Sequence, residues 1–281
     1  MGERMIVQEM LKQFEQYLIH QERSHATVEK YMLAMRQFIS WCGRKAVTKE
    51  VVAVWKEYLL AEQYHPSTIN GKIAALNMFF RFAGWEDCCI KSLRLQRRMF
   101  RDASRDLTRN EYQKLVATAE KQGKHRLSLV LQTICSTGIR VSELNYVTVE
   151  AAKTGQAEVK LKGKIRVILL PNKLCRKLLK YAGKKKIASG EIFLTRDRNS
   201  LSRKTVWAEM KALCNAAGIE ASKVFPHNLR HLFARAFYAS TRDVAKLADV
   251  LGHSSLATTR IYLISTGAEH VQQLNQLRLV I

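Results

Sequence analysis

Proline and acid are what this sequence has least of. The 281 residues include 3 Pro and 13 Gly, too few for long flexible linkers or for a turn-rich all-β fold. Acidic side chains number 24 against 47 Lys+Arg, a formal charge of +23. A charge of that size implies an anionic partner, nucleic acid before anionic membrane. No stretch approaches the roughly 18 uninterrupted apolar residues that a membrane span needs. The opening Met1-Gly2-Glu3-Arg4-Met5-Ile6 has no apolar signal core, and no Ser or Thr where a myristoylation signal needs one. The expectation is a soluble, cytoplasmic chain. None of the six cysteines (Cys42, Cys88, Cys89, Cys135, Cys175, Cys214) belongs to a Cys-x-x-Cys pair, a pattern that suits free intracellular thiols and argues against zinc. A Gly-x-x-x-x-Gly-Lys-Ser/Thr loop for a nucleotide is also missing.

What remains is a globular composition, 47% hydrophobic and 25% charged, with ample length to bury a core. The first third carries four apolar stripes at helical spacing. Val7, Met10, Leu11, Phe14 and Leu18 form one. Tyr31, Met35, Phe38, Ile39 and Trp41 form a second, entered by the cap-capable Ser24 and Thr27. Val51 to Leu60 carries Trp55 and Leu59. A start at His65-Pro66-Ser67-Thr68 leads into Ile69, Ile73, Leu76, Phe79 and Phe80. The spacing predicts a helical domain over residues 1–93.

Between 94 and 106 the apolar period lapses and Arg94, Arg97, Arg98, Arg101 and Arg105 face only Asp102 and Asp106. This reads as a basic linker, ending where Thr108-Arg109-Asn110-Glu111 offers a capping box. Residues 1–106 hold 17 basic and 12 acidic side chains (net +5), residues 107–281 hold 30 and 12 (net +18). The positive charge is concentrated in the second domain, 107–281. That domain is mostly helical with one β signal: Glu158–Lys162 and Ile165–Leu170 joined by Lys162-Gly163-Lys164 as a hairpin. Further helices are expected at Lys173–Tyr181, Ser202–Ala217, His227–Tyr238, Thr241–Leu251 and Glu269–Ile281. The fold class is therefore mainly α with a small β-hairpin in the second of two domains.

Four places hold polar residues that a plain helical core does not need. In Thr137-Gly138-Ile139-Arg140-Val141-Ser142-Glu143-Leu144 a Gly ends one helix, an Arg opens the next, and Glu143 is placed to hold that Arg. In Pro226-His227-Asn228-Leu229-Arg230-His231 the His and Arg lie one turn apart near a helix N-terminus, a favourable place for an anion. Leu251-Gly252-His253-Ser254 puts a His beyond a Gly-closed helix, and Tyr262 follows nine residues after His253. Taken singly, each has an ordinary reading: a surface ion pair, a capped helix start, a packed Tyr.

Taken in order, these blocks resemble the tyrosine recombinase (phage integrase) family. Thr-Gly-Ile-Arg-x-Ser-Glu-Leu, His-x-Leu-Arg-His-x-x-Ala and Leu-Gly-His-Ser-Ser-x-x-Thr-Thr-x-x-Tyr all occur in sequence. The front of the chain, with Thr27-x-x-x-Tyr31, Phe38, Trp41 and Ser67-Thr68 leading to Phe79-Phe80-x-Phe82, is similar to the SAM-like core-binding domain of Xer-type members. The resemblance spans nearly the whole length and implies a two-domain clamp on double-stranded DNA, without a further domain for accessory arm sites.

The resemblance also implies roles. Arg140 and Arg230 become the phosphate-binding pair, two permanently charged guanidiniums suited to the non-bridging oxygens of a phosphodiester. His227 becomes the general base or orienting group, and His253 a further phosphate donor. Tyr262 becomes the nucleophile, leaving a 3′-phosphotyrosyl bond and a free 5′-hydroxyl. Since a tyrosine hydroxyl ordinarily titrates near ~10, such a nucleophile needs cations around it. The leaving oxygen takes its proton from a hairpin lysine. Here Lys160-Leu161-Lys162-Gly163-Lys164-Ile165-Arg166 is one residue shorter than the family pattern; aligning back from Arg166 and Pro171 favours Lys162, with Lys164 as the alternative. The linker arginines and Lys72 are candidate DNA contacts. No metal or other cofactor is expected, since the carboxylates near the motifs (Glu143, Asp243, Asp249) are scattered, and rejoining draws on the covalent bond rather than ATP.

The reading is a site-specific recombinase acting as a homotetramer on synapsed DNA through a Holliday junction, with a partner recombinase or directionality factor left open. Its setting is integration of a mobile element, with chromosome or plasmid dimer resolution as the alternative. A non-catalytic DNA-binding protein and a type IB topoisomerase are the rival classes. The apolar stripe Val271, Leu274, Leu277, Val280 is expected to dock on a neighbouring protomer, and the cellular location is expected to be the nucleoid.

Overall fold

The computed structural model describes residues 4–43, 45–95, 102–161, 164–264 and 267–277. The chain divides into two units, Met1–Arg97 and Arg98–Ile281, each taken by itself below.

In the first unit the four apolar stripes become four helices: α1 (Gln8–His20), α2 (His25–Cys42), α3 (Lys49–Ala61) and α4 (Pro66–Phe82). Local chemistry sets the starts. Thr48 Oγ1 accepts the Val51 N–H at 3.3 Å, and Pro66 occupies the first turn of α4, where its missing N–H costs nothing. Phe14, Phe38, Trp55, Ile69, Ile73, Leu76, Phe79 and Phe80 are buried in one core, each on the stripe the spacing marks. Two asparagines seven residues apart on α4 stitch the following segment to it. The Asn77 amide exchanges two hydrogen bonds with the Ile90 backbone (2.9 and 3.1 Å). Asn70 does the same with Leu93 (2.9 and 2.7 Å). A primary amide mimics a peptide group, so each Asn acts as one rung of a strand ladder.

The second unit opens with α5 (Arg109–Lys121), whose capping box forms: Glu111 accepts the Thr108 N–H at 2.8 Å, and Thr108 Oγ1 accepts the Glu111 N–H at 3.2 Å. Then come α6 (His125–Thr137) and a 3-10 turn over Val141–Tyr146, where the sequence suggested a regular helix. A short α7 (Val149–Thr154) leads into the hairpin β1 (Gln156–Leu161) and β2 (Lys164–Leu169). The register pairs Val159 with Arg166 and Ala157 with Ile168. Alternation divides its faces: Ala157, Val159 and Ile168 are buried, while Ile165, Val167 and Leu169 are exposed. Arg166 lies on the buried side.

The remaining helices are α8 (Asn172–Lys184), α9 (Arg203–Ala217), α10 (Pro226–Thr241), α11 (Val244–Leu251), α12 (Leu256–Arg260) and α13 (Gly267–Gln276). Thr241, expected to begin a helix, ends α10 instead. Arg242 takes a left-handed backbone (φ 55°), and Asp243 caps α11 by accepting the Lys246 N–H at 2.9 Å. The core runs from Leu107 through α5, α6, the hairpin and α8 to Leu229 on α10, with α6 and α10 packed together. Arg105 and Asp106 already belong to this unit: the Arg105 carbonyl accepts from Asn228 Nδ2 at 2.7 Å, and Asp106 pairs with Arg235. Among the described residues no helix is long and apolar enough to cross a membrane.

Candidate active site

The motif blocks converge at the C-terminal end of α6. Gly138 closes that helix with φ +66°, and a side chain there would run into the Phe233 ring and come within 2.9 Å of Leu251. Glycine is required twice over, by conformation and by space. The chain then turns through Arg140, which is exposed and opens the 3-10 turn. Glu143 holds it from inside the fold. Its carboxylate, 1% exposed, accepts the Arg140 backbone N–H at 2.7 Å and its guanidinium at 3.1 Å. The same carboxylate accepts Arg166 Nη2 at 2.6 Å. One buried acid between two cations keeps Arg140 aimed while leaving its outer face free to meet an anion.

Arg230 sits one turn into α10 and is 2% exposed. Its Nη1 donates to the Gly138 carbonyl, and its Nη2 to the Leu251 carbonyl at 2.8 Å and to His253 Nε2 at 3.0 Å. Its Nε donates to the Tyr262 hydroxyl at 3.4 Å. Among the described residues none of these partners is a carboxylate. A guanidinium taken out of water without a counter-anion is costly, several kcal/mol in order of magnitude. Burial pulls its pKa below the ordinary arginine value, with Arg140 and Arg166 adding to the effect, while Tyr262 opposes it. Among the described residues Arg140, Arg166 and Arg230 thus have one carboxylate between the three of them, Glu143, and the site is short of negative charge.

His253 follows Gly252, which closes α11 at φ +64°. Because its Nε2 accepts from Arg230, the proton is on Nδ1, which donates to Thr259 Oγ1 at 2.8 Å. Burial first, then the charges of Arg230, Arg140 and Arg166, push its pKa down to about 4, so the ring is neutral at physiological pH. His227 is lowered in the same direction, mainly by burial and then by Arg230, Arg140 and Arg203.

Tyr262 lies just past α12 and is 5% exposed. Three imidazoles surround its ring, with centroids at 4.4 Å (His231), 5.6 Å (His253) and 5.7 Å (His227). A cavity of about 340 Å³ opens on this group, lined by Arg140, Arg203, Trp207, His227, Arg230 and Tyr262 among others. Cations thus line a space that the Tyr262 hydroxyl also borders.

The fold gathers Arg140, Glu143, His227, Arg230, His253 and Tyr262 into this one site. Lys162 lies outside the described residues, and Lys164 is described only as the first residue of β2. Of the linker arginines, Arg94 and Arg105 are exposed; Arg97, Arg98 and Arg101 lie outside the described residues. Lys72 on α4 is engaged: its ammonium bonds Gln37 and stands 4.8 Å from the Tyr64 ring centroid, and burial lowers its pKa. Sequence reasoning did not single out Arg166, His231, Arg203 or Thr259. His231 stands inside the His-x-Leu-Arg-His block, where a local signal is present; Arg166 lies on the hairpin, where nothing local marks its distant partners.

The sequence pattern of the phage integrase family matches residues 105–269, and that of the phage integrase N-terminal SAM-like domain matches residues 11–87. The chain belongs to the phage integrase family. It is similar to the tyrosine recombinase XerA of Pyrococcus furiosus, 29% identical and covering 97% of this chain and 95% of that protein. Its fold is that of a lambda integrase (residues 75–356) dimer bound to a COC′ core site, with TM-score 0.73, 20% identity, and coverage of 92% and 95%. A lambda integrase tetramer bound to a Holliday junction gives TM-score 0.72 at 20% identity, covering 90% of this chain and 76% of that one. As a family member, the chain is a tyrosine-type site-specific recombinase that cleaves and religates DNA strands.

Proposed function

We propose that this chain breaks and rejoins double-stranded DNA at specific sites through Tyr262, with Arg140 and Arg230 as the phosphate clamp. The observation that carries the reading is the buried Arg230 guanidinium, whose described partners are two carbonyls, an imidazole and the Tyr262 hydroxyl. A scissile phosphate supplies the missing negative charge, and its transition state, richer in charge on the non-bridging oxygens, is held more tightly still. The phenol oxygen attacks phosphorus, forming the O–P bond of a 3′-phosphotyrosine as the bond to the 5′-oxygen breaks. His227, kept neutral by its lowered pKa, takes the phenol proton. Lys162, or Lys164 in the alternative register, gives a proton to the departing 5′-oxygen. His253 can donate to a phosphate only with a proton on Nε2, where it now accepts from Arg230. An incoming phosphate takes over that Arg230 donor and frees the ring to change tautomer. Religation runs the same steps backwards with a 5′-hydroxyl from either strand.

Lys72 and the linker arginines contribute phosphate contacts and make affinity steeply salt-dependent. The domains serving this are residues 1–93 for DNA binding and 107–281 for catalysis, with 94–106 between them as a basic linker whose last residues, Arg105 and Asp106, pack on the second unit. Four protomers synapse two sites, as the tetramer on a Holliday junction suggests. The side chains of Val271, Leu274 and Leu277, between 55% and 58% exposed, dock on a neighbouring protomer; Val280 lies outside the described residues. The enzyme works in the cytoplasm at the nucleoid, on a mobile element. One observation favours a second setting, dimer resolution: the full-length likeness to a Xer recombinase.

The test is a nicked suicide duplex carrying candidate sites, with the covalent protein–DNA adduct read by gel shift under denaturing conditions. A site-dependent adduct that Tyr262→Phe abolishes, with DNA binding retained, is the expected result. A site-independent adduct indicates a topoisomerase, and none at all indicates a binding protein without chemistry.

A further inference from the structure

Arg166 belongs to the hairpin, yet its contacts lie on two other motif blocks. Its Nη2 reaches buried Glu143 at 2.6 Å, the same acid that holds Arg140. Its Nη1 donates to the Val250 carbonyl at 3.3 Å, three residues before His253. Between those ends the side chain passes Gly252 so closely that a Cβ there would stand 2.5 Å from Arg166 Cδ and 2.6 Å from Nη1. Gly252 therefore does two things: it accepts φ +64° to end α11, and it leaves the channel through which Arg166 runs. Arg166 Nε is buried without a hydrogen-bond partner among the described residues. The fold tolerates that orphan donor to keep the side chain on this path.

The hairpin's inward residues Ala157, Val159 and Ile168 pack in the core while Ile165, Val167 and Leu169 are exposed, and Arg166 adds a directional polar tie to that apolar packing. Arg166, facing inward opposite Val159, ties β2 to the phosphate-binding end of the site. It stands four residues after Lys162 and two after Lys164, on the strand whose pairing runs from Val159–Arg166 to Leu161–Lys164.

We propose that Arg166 is a positioning residue for the proton-donating hairpin lysine, locking β2 to Glu143 and to the Val250 carbonyl through the gap at Gly252. This rests on the reading that a hairpin lysine protonates the leaving 5′-oxygen. Arg140 keeps both of its own bonds to Glu143 when Arg166 is lost, so the phosphate clamp survives. What is lost is delivery of the proton.

The experiment uses the full chain on suicide duplexes that differ in one atom, oxygen or sulfur at the 5′-bridging position of the cleaved bond. In both, the tyrosine O–P bond forms and the bond to the leaving atom breaks. An alkoxide must be protonated as it leaves, whereas a thiolate departs without a proton. Single-turnover adduct formation is measured for Lys162→Ala, Lys164→Ala, Arg166→Met and Arg166→Lys. One lysine variant should lose roughly 100- to 10,000-fold on oxygen and Arg166→Met a smaller share of that loss, while both stay close to the unchanged chain on sulfur. Arg166→Lys, whose amine cannot reach both acceptors, falls between. Equal losses of Arg166→Met on both substrates, as misfolding or a damaged clamp would give, overturn the proposal, and so do unchanged rates on both. If neither lysine variant is spared by sulfur, the proton-donor reading fails and takes the proposal with it. If a lysine variant is spared and Arg166→Met is not, only the role of Arg166 fails.

Discussion

In the first unit the largest buried side chains are Phe14, Phe38, Trp55, Phe79 and Phe80, whereas the second also buries Glu143, Asn228, Arg230 and Thr259. Among the described residues, every fully buried polar or charged side chain lies in the second unit. The aromatic contacts differ in the same way. Phe79 meets Phe14 edge-on at 5.3 Å and Trp85 at 6.0 Å, an apolar network. Tyr262 meets three imidazoles instead. One unit spends its interior on packing, which stabilises. The other keeps a buried cation with no carboxylate among its described partners, which costs stability and is the feature on which the proposed phosphate clamp rests.

Two measurements sharpen this contrast. Phe79→Ala removes the centre of the apolar network and should destabilise the full chain by about 3–5 kcal/mol, read by chemical denaturation. A loss under about 1 kcal/mol would mean that the first core can relax around the cavity. The smaller effect is one of pH. The His253 pKa, about 4 when folded, lies below the ordinary value near ~6.5, so the unfolded chain binds a proton more readily. Its contribution to stability is complete above the unfolded value and is lost as pH falls from there toward 4. Melting temperature should therefore drop more steeply across that window in the unchanged chain than in His253→Asn. Parallel slopes would mean that the ring is not held neutral by its surroundings.

How much of this could be read from residues alone differs between the units for the same reason. Ile69, Ile73, Leu76, Phe79 and Phe80 recur at helical spacing, and all are buried; an apolar core announces itself by period. Asn70 and Asn77 did not, because an amide facing a loop leaves no periodic trace. In the second unit the Thr108–Glu111 box was legible as a local pattern. α11 starts later than the sequence suggests, since Thr241 and Asp243 can both cap and only the left-handed turn at Arg242 decides between them. Arg140, His227, Arg230, His253 and Tyr262, marked in the sequence by the order of their motifs, are gathered at one place in the fold. Arg166 carries no local signal of its own beyond its place in the hairpin. Its importance lies in meeting Glu143, 23 residues away, and Val250, 84 away, and contacts at such separations are set by tertiary packing.

The most direct test of the account is whether Tyr262 attacks the phosphate held by Arg230 of its own chain, as the 3.4 Å approach of its hydroxyl to Arg230 Nε implies. Tyr262→Phe and Arg230→Ala proteins, each inactive alone, are mixed on suicide DNA and the covalent adduct is measured. We expect no restoration, because neither chain holds both the clamp and the nucleophile. An adduct regained in the mixture, carried by the Arg230→Ala chain, would show that the tyrosine crosses to a neighbour's site and would contradict the geometry on which the mechanism stands.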